Sequence, residues 1–229
     1  MPNDSIFISA SLLRDYLECP KKVFYRLNFP ELSVQTPEMI VGNIVHSTLE
    51  RSWDDEDSAI MYADDLSKKN KLTPKYCDKV RLCISNFFLL FSFLVSDNDK
   101  IEYRFKIPFG TAFIVGKMDR ITSSGIIIDW KASVTFSGTI SRDPQFILYQ
   151  YVYEQIFEKS PTSVLKVCLV DGGIIPYSRD KIVEYSIINN VIPAAIISIR
   201  DNVLLPIGLF TKKCYQCSYI TACYKEMGY

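Results

Sequence analysis

Apolar residues in the first hundred positions recur at helical spacing, and near residue 101 the period shortens to that of strands. Leu12, Leu13, Tyr16 and Leu17 follow Ser9 and Ser11, either of which can cap a first helix, and Cys19-Pro20 ends it. Lys21 to Leu27 predicts a short second helix. Glu38 to Trp53 predicts a third, with Ile40, Ile44, Val45 and Leu49 on its apolar side. The acidic stretch Asp54 to Asp57 breaks the pattern before helices over Ser58 to Lys69 and Pro74 to Val95, the latter capped by Thr73 with Pro74 in its first turn. Ile101 to Phe109, Thr111 to Ile121 and Gly125 to Ala132 then read as three consecutive strands. A helix over Asp143 to Phe157 follows, then a strand over Val164 to Val170. Short strands are expected at Ile174 to Tyr177 and Ile182 to Ser186, then a helix over Asn190 to Leu204 and a cysteine-rich tail. No internal repeat or low-complexity linker divides the chain.

With 229 residues, 48% of them hydrophobic, the chain can bury a substantial core. Its 26 basic and 26 acidic residues cancel, so any nucleic-acid groove must be local. Basic clusters stand at Lys21-Lys22, from Lys68 to Arg81 and at Lys212-Lys213, each readable as a solvated helix face. The polar N-terminus lacks a signal-peptide pattern, and the longest apolar run, Phe87 to Val95, is too short to span a bilayer. A soluble, cytoplasmic protein with no membrane partner is expected.

Most of the chemistry lies in one hairpin, Gly116 to Lys131. If Ser123, Ser124 and Gly125 form a three-residue loop with Gly125 left-handed, Thr122 pairs with Ile126 and Asp119 falls opposite Asp129. Strand alternation puts Lys131 on the face of Asp129. Two close carboxylates repel unless a proton or a divalent cation intervenes, and this arrangement suits Mg2+ or Mn2+ with a lysine poised over water or phosphate. An Asp-x-Lys on a solvated strand face is the plainer alternative, but the Ile-rich flanks point into a core.

Seven cysteines without a secretion signal do not read as a disulfide framework. Three are spaced Cys214-x2-Cys217-x5-Cys223, a spacing that aims sulfurs at one point. Cys77, Cys83 and Cys168 sit in helix or strand patterns where a small buried residue is the default. Cys19, at the elbow before Pro20, is the expected fourth ligand. Spacing alone suits zinc and a [4Fe–4S] cluster equally. Stapling Cys19 to the tail would close nearly the whole chain, worth on the order of 5 kcal/mol if treated like a disulfide.

The single histidine, His46, lies on the third helix with Gly42 one turn before and Glu50 one turn after. A packed histidine is the commoner outcome there, although Glu50 can add a carboxylate and Gly42 lets a backbone or substrate come close. Gln145 and Tyr149 share one face of the helix after the lysine, where their polar tips can bind phosphate or fix Lys131.

Together these residues resemble the RecB-like branch of the PD-(D/E)xK nucleases in its iron–sulfur form, which includes AddB-type domains, exonuclease V and CRISPR-associated RecB-like nucleases. The resemblance rests on five elements in order: Gly42, His46, Leu49 and Glu50; Gly116, Asp119 and Arg120; Asp129 and Lys131; Gln145 and Tyr149; and the split set Cys19, Cys214, Cys217 and Cys223. Met118 replaces the proline of the superfamily name, and Asp129 replaces a glutamate common in relatives.

The resemblance implies an α/β, restriction-endonuclease-like fold, a central mixed sheet flanked by helices, as one domain over 1–229. Residues 1–37 and 205–229 would form the iron–sulfur staple, 38–100 a helical part and 101–204 the nuclease core. It implies a DNA nuclease in which His46, Asp119, Asp129 and the Trp130 carbonyl hold Mg2+ or Mn2+, Lys131 acts on the attacking water, and Gln145 and Tyr149 support it. The tail site becomes a [4Fe–4S] cluster and the substrate single-stranded or free-ended DNA, often degraded from a 5′ end. CRISPR-adaptation, recombination or replication proteins are the implied partners. A DNA-end-binding module without turnover, and a zinc-stapled protein with a surface hairpin, are the competing readings.

Overall fold

β3 (Ala112–Ile121) is the spine of the sheet, pairing with three other strands. In the computed structural model, which describes residues 5–135, 140–207, 212–215, 217–226 and 228, β2 (Lys100–Phe109) runs antiparallel along one edge of β3. The other edge is shared. β1 (Ile6–Ile8) lies parallel to it at Ala112 to Ile114, and β4 (Ile126–Lys131) lies antiparallel to it at Arg120 and Ile121. The stretch of that edge from Val115 to Asp119 pairs with neither. β5 (Ser163–Cys168) continues the sheet parallel to β4, and β6 (Gly173–Pro176) closes it antiparallel to β5. β1 has no counterpart in the sequence reading, because three residues carry too little periodicity to register.

Parallel strands need a crossover, and α6 (Pro144–Phe157) supplies it between β4 and β5. α1 (Ala10–Glu18), α6 and α8 (Ile192–Arg200) cover one face of the sheet over Leu13, Ile114, Met118, Ile127 and Ile147. α3 (Pro37–Arg51), α4 (Glu56–Lys69) and α5 (Pro74–Leu90) cover the other over Val41, Phe87, Ile128, Trp130 and Val167. β4 feeds both layers, Ile127 into the first and Ile128 into the second, which is why it reads as an unbroken apolar run. The result is an α/β fold with a mixed sheet between helices.

The helix starts follow from caps. The Ser9 hydroxyl accepts from the N–H of Leu12 at 3.2 Å, Thr36 from Met39 at 3.3 Å and Asp143 from Gln145 at 3.0 Å. One expectation is overturned: Ile182 to Ser186 is helical. α7 (Lys181–Ser186) begins at Asp180, whose carboxylate accepts from the N–H groups of Ile182 and Val183 at 3.1 and 3.2 Å, and a π turn over Ile187–Val191 joins it to α8. The cap outweighs the β-branched composition that suggested a strand. Likewise α5 stops at Leu90 and a single 3-10 turn, Ser92–Leu94, follows where the helix was expected to run to Val95.

Lys181–Arg200 is 20 residues long and apolar enough by length and composition to cross a membrane. Its residues Ile187, Ile192, Ala195 and Ile196 are nevertheless part of the core against the sheet. In the tail, α9 (Lys212–Tyr215) and α10 (Ile220–Glu226) bracket the late cysteines; residues 208–211, 216, 227 and 229 lie outside the described part, as do 1–4 and 136–139. α10 docks on α2 (Pro20–Asn28): Lys21 Nζ lies 2.6 Å from Glu226 Oε1, the Tyr25 hydroxyl donates to Glu226, and the Tyr25 and Tyr219 rings stack 5.6 Å apart. The two ends of the described chain therefore meet.

Candidate active site

The β3–β4 turn has the expected form. Gly125 is left-handed at φ +84°, its N–H donates to Thr122 at 2.9 Å, and the Thr122 N–H donates to Ile126 at 2.8 Å. Ile121 then faces Ile127 and Arg120 faces Ile128, so the next step puts Asp119 across from Asp129. From there the two side chains diverge. Asp119 Oδ2 accepts the Trp130 N–H at 2.9 Å and lies 3.5 Å from His46 Nδ1, under α3. Asp129 turns the other way, toward α6.

The divergence has a cause in β2. Ile101 and Arg120 are paired and line a cavity beneath α3, whereas the next same-phase pair, Tyr103 and Met118, packs in the opposite core. A regular pleat would keep both pairs on one face. The break falls at Glu102, opposite Asp119, where the backbone is left-handed at φ +50°. Such a conformation costs about 1–2 kcal/mol and is retained only where its surroundings fix it. It turns the Glu102 carboxylate inward, where ligand atoms of His46, Glu102 and Asp119 all lie within 4.8 Å of one another. Lys117 Nζ pairs with Glu102. The cavity between them, also lined by Glu50 and Trp130, holds about 10 Å³, room for roughly one water-sized sphere. Glu102 is a site residue that the sequence reading missed.

On the α6 side, Asp129 is completely buried. The Lys131 ammonium straddles its carboxylate, 3.0 Å from Oδ1 along a hydrogen bond and 2.9 Å from Oδ2 off the hydrogen-bonding directions, so Oδ2 is left without a hydrogen bond. Gln145 Nε2 donates to Asp129 Oδ1 at 2.8 Å, and Gln145 Oε1 accepts from Lys131 at 3.3 Å. Tyr149 accepts from Gln145 at 2.7 Å and donates to the Lys117 carbonyl at 2.8 Å. Burial pushes the Asp129 carboxyl up to about 6; Lys131 opposes the rise and the Asp119 charge adds to it. Burial works against the Lys131 ammonium, but Asp129 and Asp119 outweigh it and hold its pKa above the ordinary lysine range. Burial, and then the two aspartates, also push Tyr149 well above the ordinary phenol range, so it stays a neutral donor and acceptor.

The donor set fits a hard divalent cation: two carboxylates, Glu102 and Asp119, and one imidazole converge on the cavity, while Lys131 and Gln145 hold the Asp129 carboxylate on the α6 side. The Trp130 carbonyl faces the same side as its N–H, toward Asp119, as alternation along a strand requires. All six predicted residues (His46, Asp119, Asp129, Lys131, Gln145 and Tyr149) thus gather around the end of β4. Gly42 has no packing role, since an added Cβ would meet nothing within 4 Å.

The cysteines form a separate region. Cys19, Cys214, Cys217 and Cys223 are half-buried and unbridged. Burial raises the Cys217 thiol and the Cys19 and Cys214 sulfurs add to it, and Cys223 is likewise raised by burial and then by Cys19 and Cys217. Among the described residues, however, His46–Glu102–Asp119 is the only His/Cys/Asp/Glu group close enough to ligate one ion, so these sulfurs are not drawn together as a zinc tetrahedron would draw them.

No curated protein matches the chain in sequence. Among solved structures, a "putative exonuclease" from Eubacterium rectale aligns over 92% of this chain and 87% of its own, with a TM-score of 0.66 and 15% identity. The protein SSO0001 aligns over 96% and 87%, with a TM-score of 0.50 and 17% identity. At such identities the likeness speaks for the fold. Residues 8–224 match the sequence profile of the PD-(D/E)XK nuclease superfamily, nearly the entire chain. The chain is a member of the PD-(D/E)XK nuclease superfamily.

Proposed function

We propose that this protein is a metal-dependent deoxyribonuclease, an exonuclease that hydrolyses single-stranded DNA from the 5′ end. The observation that carries this reading is an ion-sized acidic cavity, His46–Glu102–Asp119, set beside the buried pair Asp129–Lys131. His46, Glu102, Asp119 and the Trp130 carbonyl would hold Mg2+ or Mn2+, and Asp129 would join them by turning from Lys131 and Gln145; the ion supplies Lewis acidity to the phosphoryl oxygen and lowers the pKa of water. Lys131, whose ammonium Asp129 and Asp119 hold protonated in the metal-free site, would orient the attacking water or help deprotonate it and would offset phosphate charge. Gln145 and Tyr149 fix Lys131 and Asp129. The exonuclease description of the Eubacterium rectale protein agrees with this reading.

At the chain ends, Cys19, Cys214, Cys217 and Cys223 would hold a [4Fe–4S] cluster. Four half-buried thiols that act on one another's charge, yet lie too far apart to share one ion, suit a multi-atom cluster better than zinc. Iron and sulfide analysis with visible absorbance tests this, and stoichiometric zinc would overturn it. A soluble cytoplasmic enzyme serving CRISPR adaptation, recombination or replication fits such chemistry.

The polarity is tested with single strands and duplexes labelled at either end, in Mn2+. A 5′-labelled single strand should release labelled mononucleotide first. Release only from 3′ labels, or internal cuts in a circular strand, would overturn the 5′-exonuclease reading.

A further inference from the structure

The nuclease reading leaves open how a strand reaches the cavity. The α3–α5 layer covers the sheet over β4 and β5, while exposed residues mark the same face of β2, β3 and β1 farther from the site as uncovered. Beyond the break at Glu102 and Asp119, the ladder sets Arg104 beside Lys117, Lys106 beside Val115, and Phe113 beside Phe7 of β1. Phe105, Ile114 and Ile8, the alternate residues, point into the core on the opposite face. Lys106 Nζ lies 5.0 Å from the Phe7 ring centre and 4.3 Å from that of Phe113, and the two rings stack 6.0 Å apart, 28° from parallel. Phe7 is 46% exposed. Arg104 and Lys106 are exposed and, among the described residues, make no ion pair or hydrogen bond.

We propose that this face is a binding track for single-stranded DNA, leading from the His46–Glu102–Asp119 cavity past Lys117 and Arg104 to a base-stacking platform of Phe7 and Phe113. The proposal rests on the nuclease reading and adds where the strand outside the active site lies. The chain as a whole is neutral, so two cations without an ion pair, one of them against the rings of an aromatic pair whose Phe7 is exposed and whose Phe113 is half-buried, are a local concentration of what single strands bind: charge for phosphates and a ring face for bases. Glu102 is the acidic residue adjoining these positions, and Lys117 already neutralises it. From Asp119 to Phe113 the strand rises roughly 20 Å, the reach of a few extended nucleotides. A duplex cannot offer unstacked bases to the Phe7 ring, so the platform selects single strands.

The test measures equilibrium binding of fluorescent oligothymidylate to full-length protein in EDTA, in the Lys131→Ala background, so that no cleavage intervenes. Removing both cations in Arg104→Ala/Lys106→Ala should lower the slope of log K against log salt by about 1.4, two phosphate contacts at about 0.7 each. Phe7→Ala should weaken a 12-mer by roughly 5- to 150-fold, while Phe7→Tyr, which keeps the ring, binds like the parent. Lys68→Ala/Lys69→Ala on α4 is the distant control and should bind like the parent. An unchanged slope and 12-mer affinity in natively folded variants overturns the track, as does duplex binding as tight as single-strand binding. Failure of wild-type cleavage would instead count against the nuclease reading, since binding is read without metal.

Discussion

Glu102 and Asp119 stand opposite each other where the pleat of both β2 and β3 breaks, and that break brings the two carboxylates to His46. A buried acidic pair beside a histidine is unfavourable by itself and becomes favourable with a cation between them. The left-handed backbone at Glu102 is local strain of the kind the proposed ion binding would retain.

Glu102→Gln should fold normally and weaken Mn2+ binding by about tenfold or more, since one ligand charge is lost. Titration calorimetry on the metal-free protein measures this directly. Wild-type affinity in the variant would remove Glu102 from the ligand set.

Asp129 should make stability fall as pH rises. Its carboxyl is raised from 3.8 to about 6 in the folded state, so its neutral form favours folding. That contribution is full below about pH 4 and is lost as pH rises through about 6. Between pH 4 and pH 7.5 the metal-free wild type should lose about 1–3 kcal/mol more stability than Asp129→Asn, which has no group titrating there, even though the variant leaves the Lys131 ammonium without its carboxylate at both pH values. Urea denaturation of the two proteins at the two pH values checks the sign. An equal pH dependence in both would contradict it.

Asp99 should behave oppositely. It accepts from Ser96 N–H and Oγ at 2.9 and 2.8 Å, Ser123 N–H at 3.0 Å and Arg120 Nε at 2.9 Å. Burial works against its charge, but these bonds win and hold its pKa below the ordinary carboxylate range. The stability it provides is present above the unfolded value near 4 and is lost as pH falls through the lower folded value. Asp99→Asn leaves Arg120 buried without its counterion, and should cost about 3–5 kcal/mol in thermal or chemical unfolding.

Tyr149→Phe removes a hydroxyl that bonds Gln145 and the Lys117 carbonyl. The unpaired carbonyl should cost about 1–3 kcal/mol. Looser Lys131 should lower kcat with little change in KM, a split that steady-state kinetics resolves.

The parts of the site set by local signals were legible in the sequence. Gly125 fixes the hairpin register that brings Asp119 opposite Asp129, and the i, i+4 spacing on α6 aligns Gln145 with Tyr149. Glu102 was not found, because Lys-Ile-Glu-Tyr-Arg reads as an edge strand with its acid facing solvent. The same counting from the β2–β3 turn, where Phe109 pairs with Ala112 across Gly110, would have put Glu102 opposite Asp119. The pleat break that turns its carboxylate inward has no signature in that local pattern. The misread strand at Ile182 shows the converse, a local composition overridden by the Asp180 cap.

The central claim is that DNA is hydrolysed at the centre joining His46, Glu102 and Asp119 to Asp129 and Lys131. Single-turnover cleavage of a labelled single strand in Mn2+, by wild type and by Lys131→Ala, tests it most directly. The account predicts metal-dependent cleavage by wild type, slowed at least about a hundredfold in the variant. Equal rates for the two proteins, or no cleavage by wild type, would contradict it.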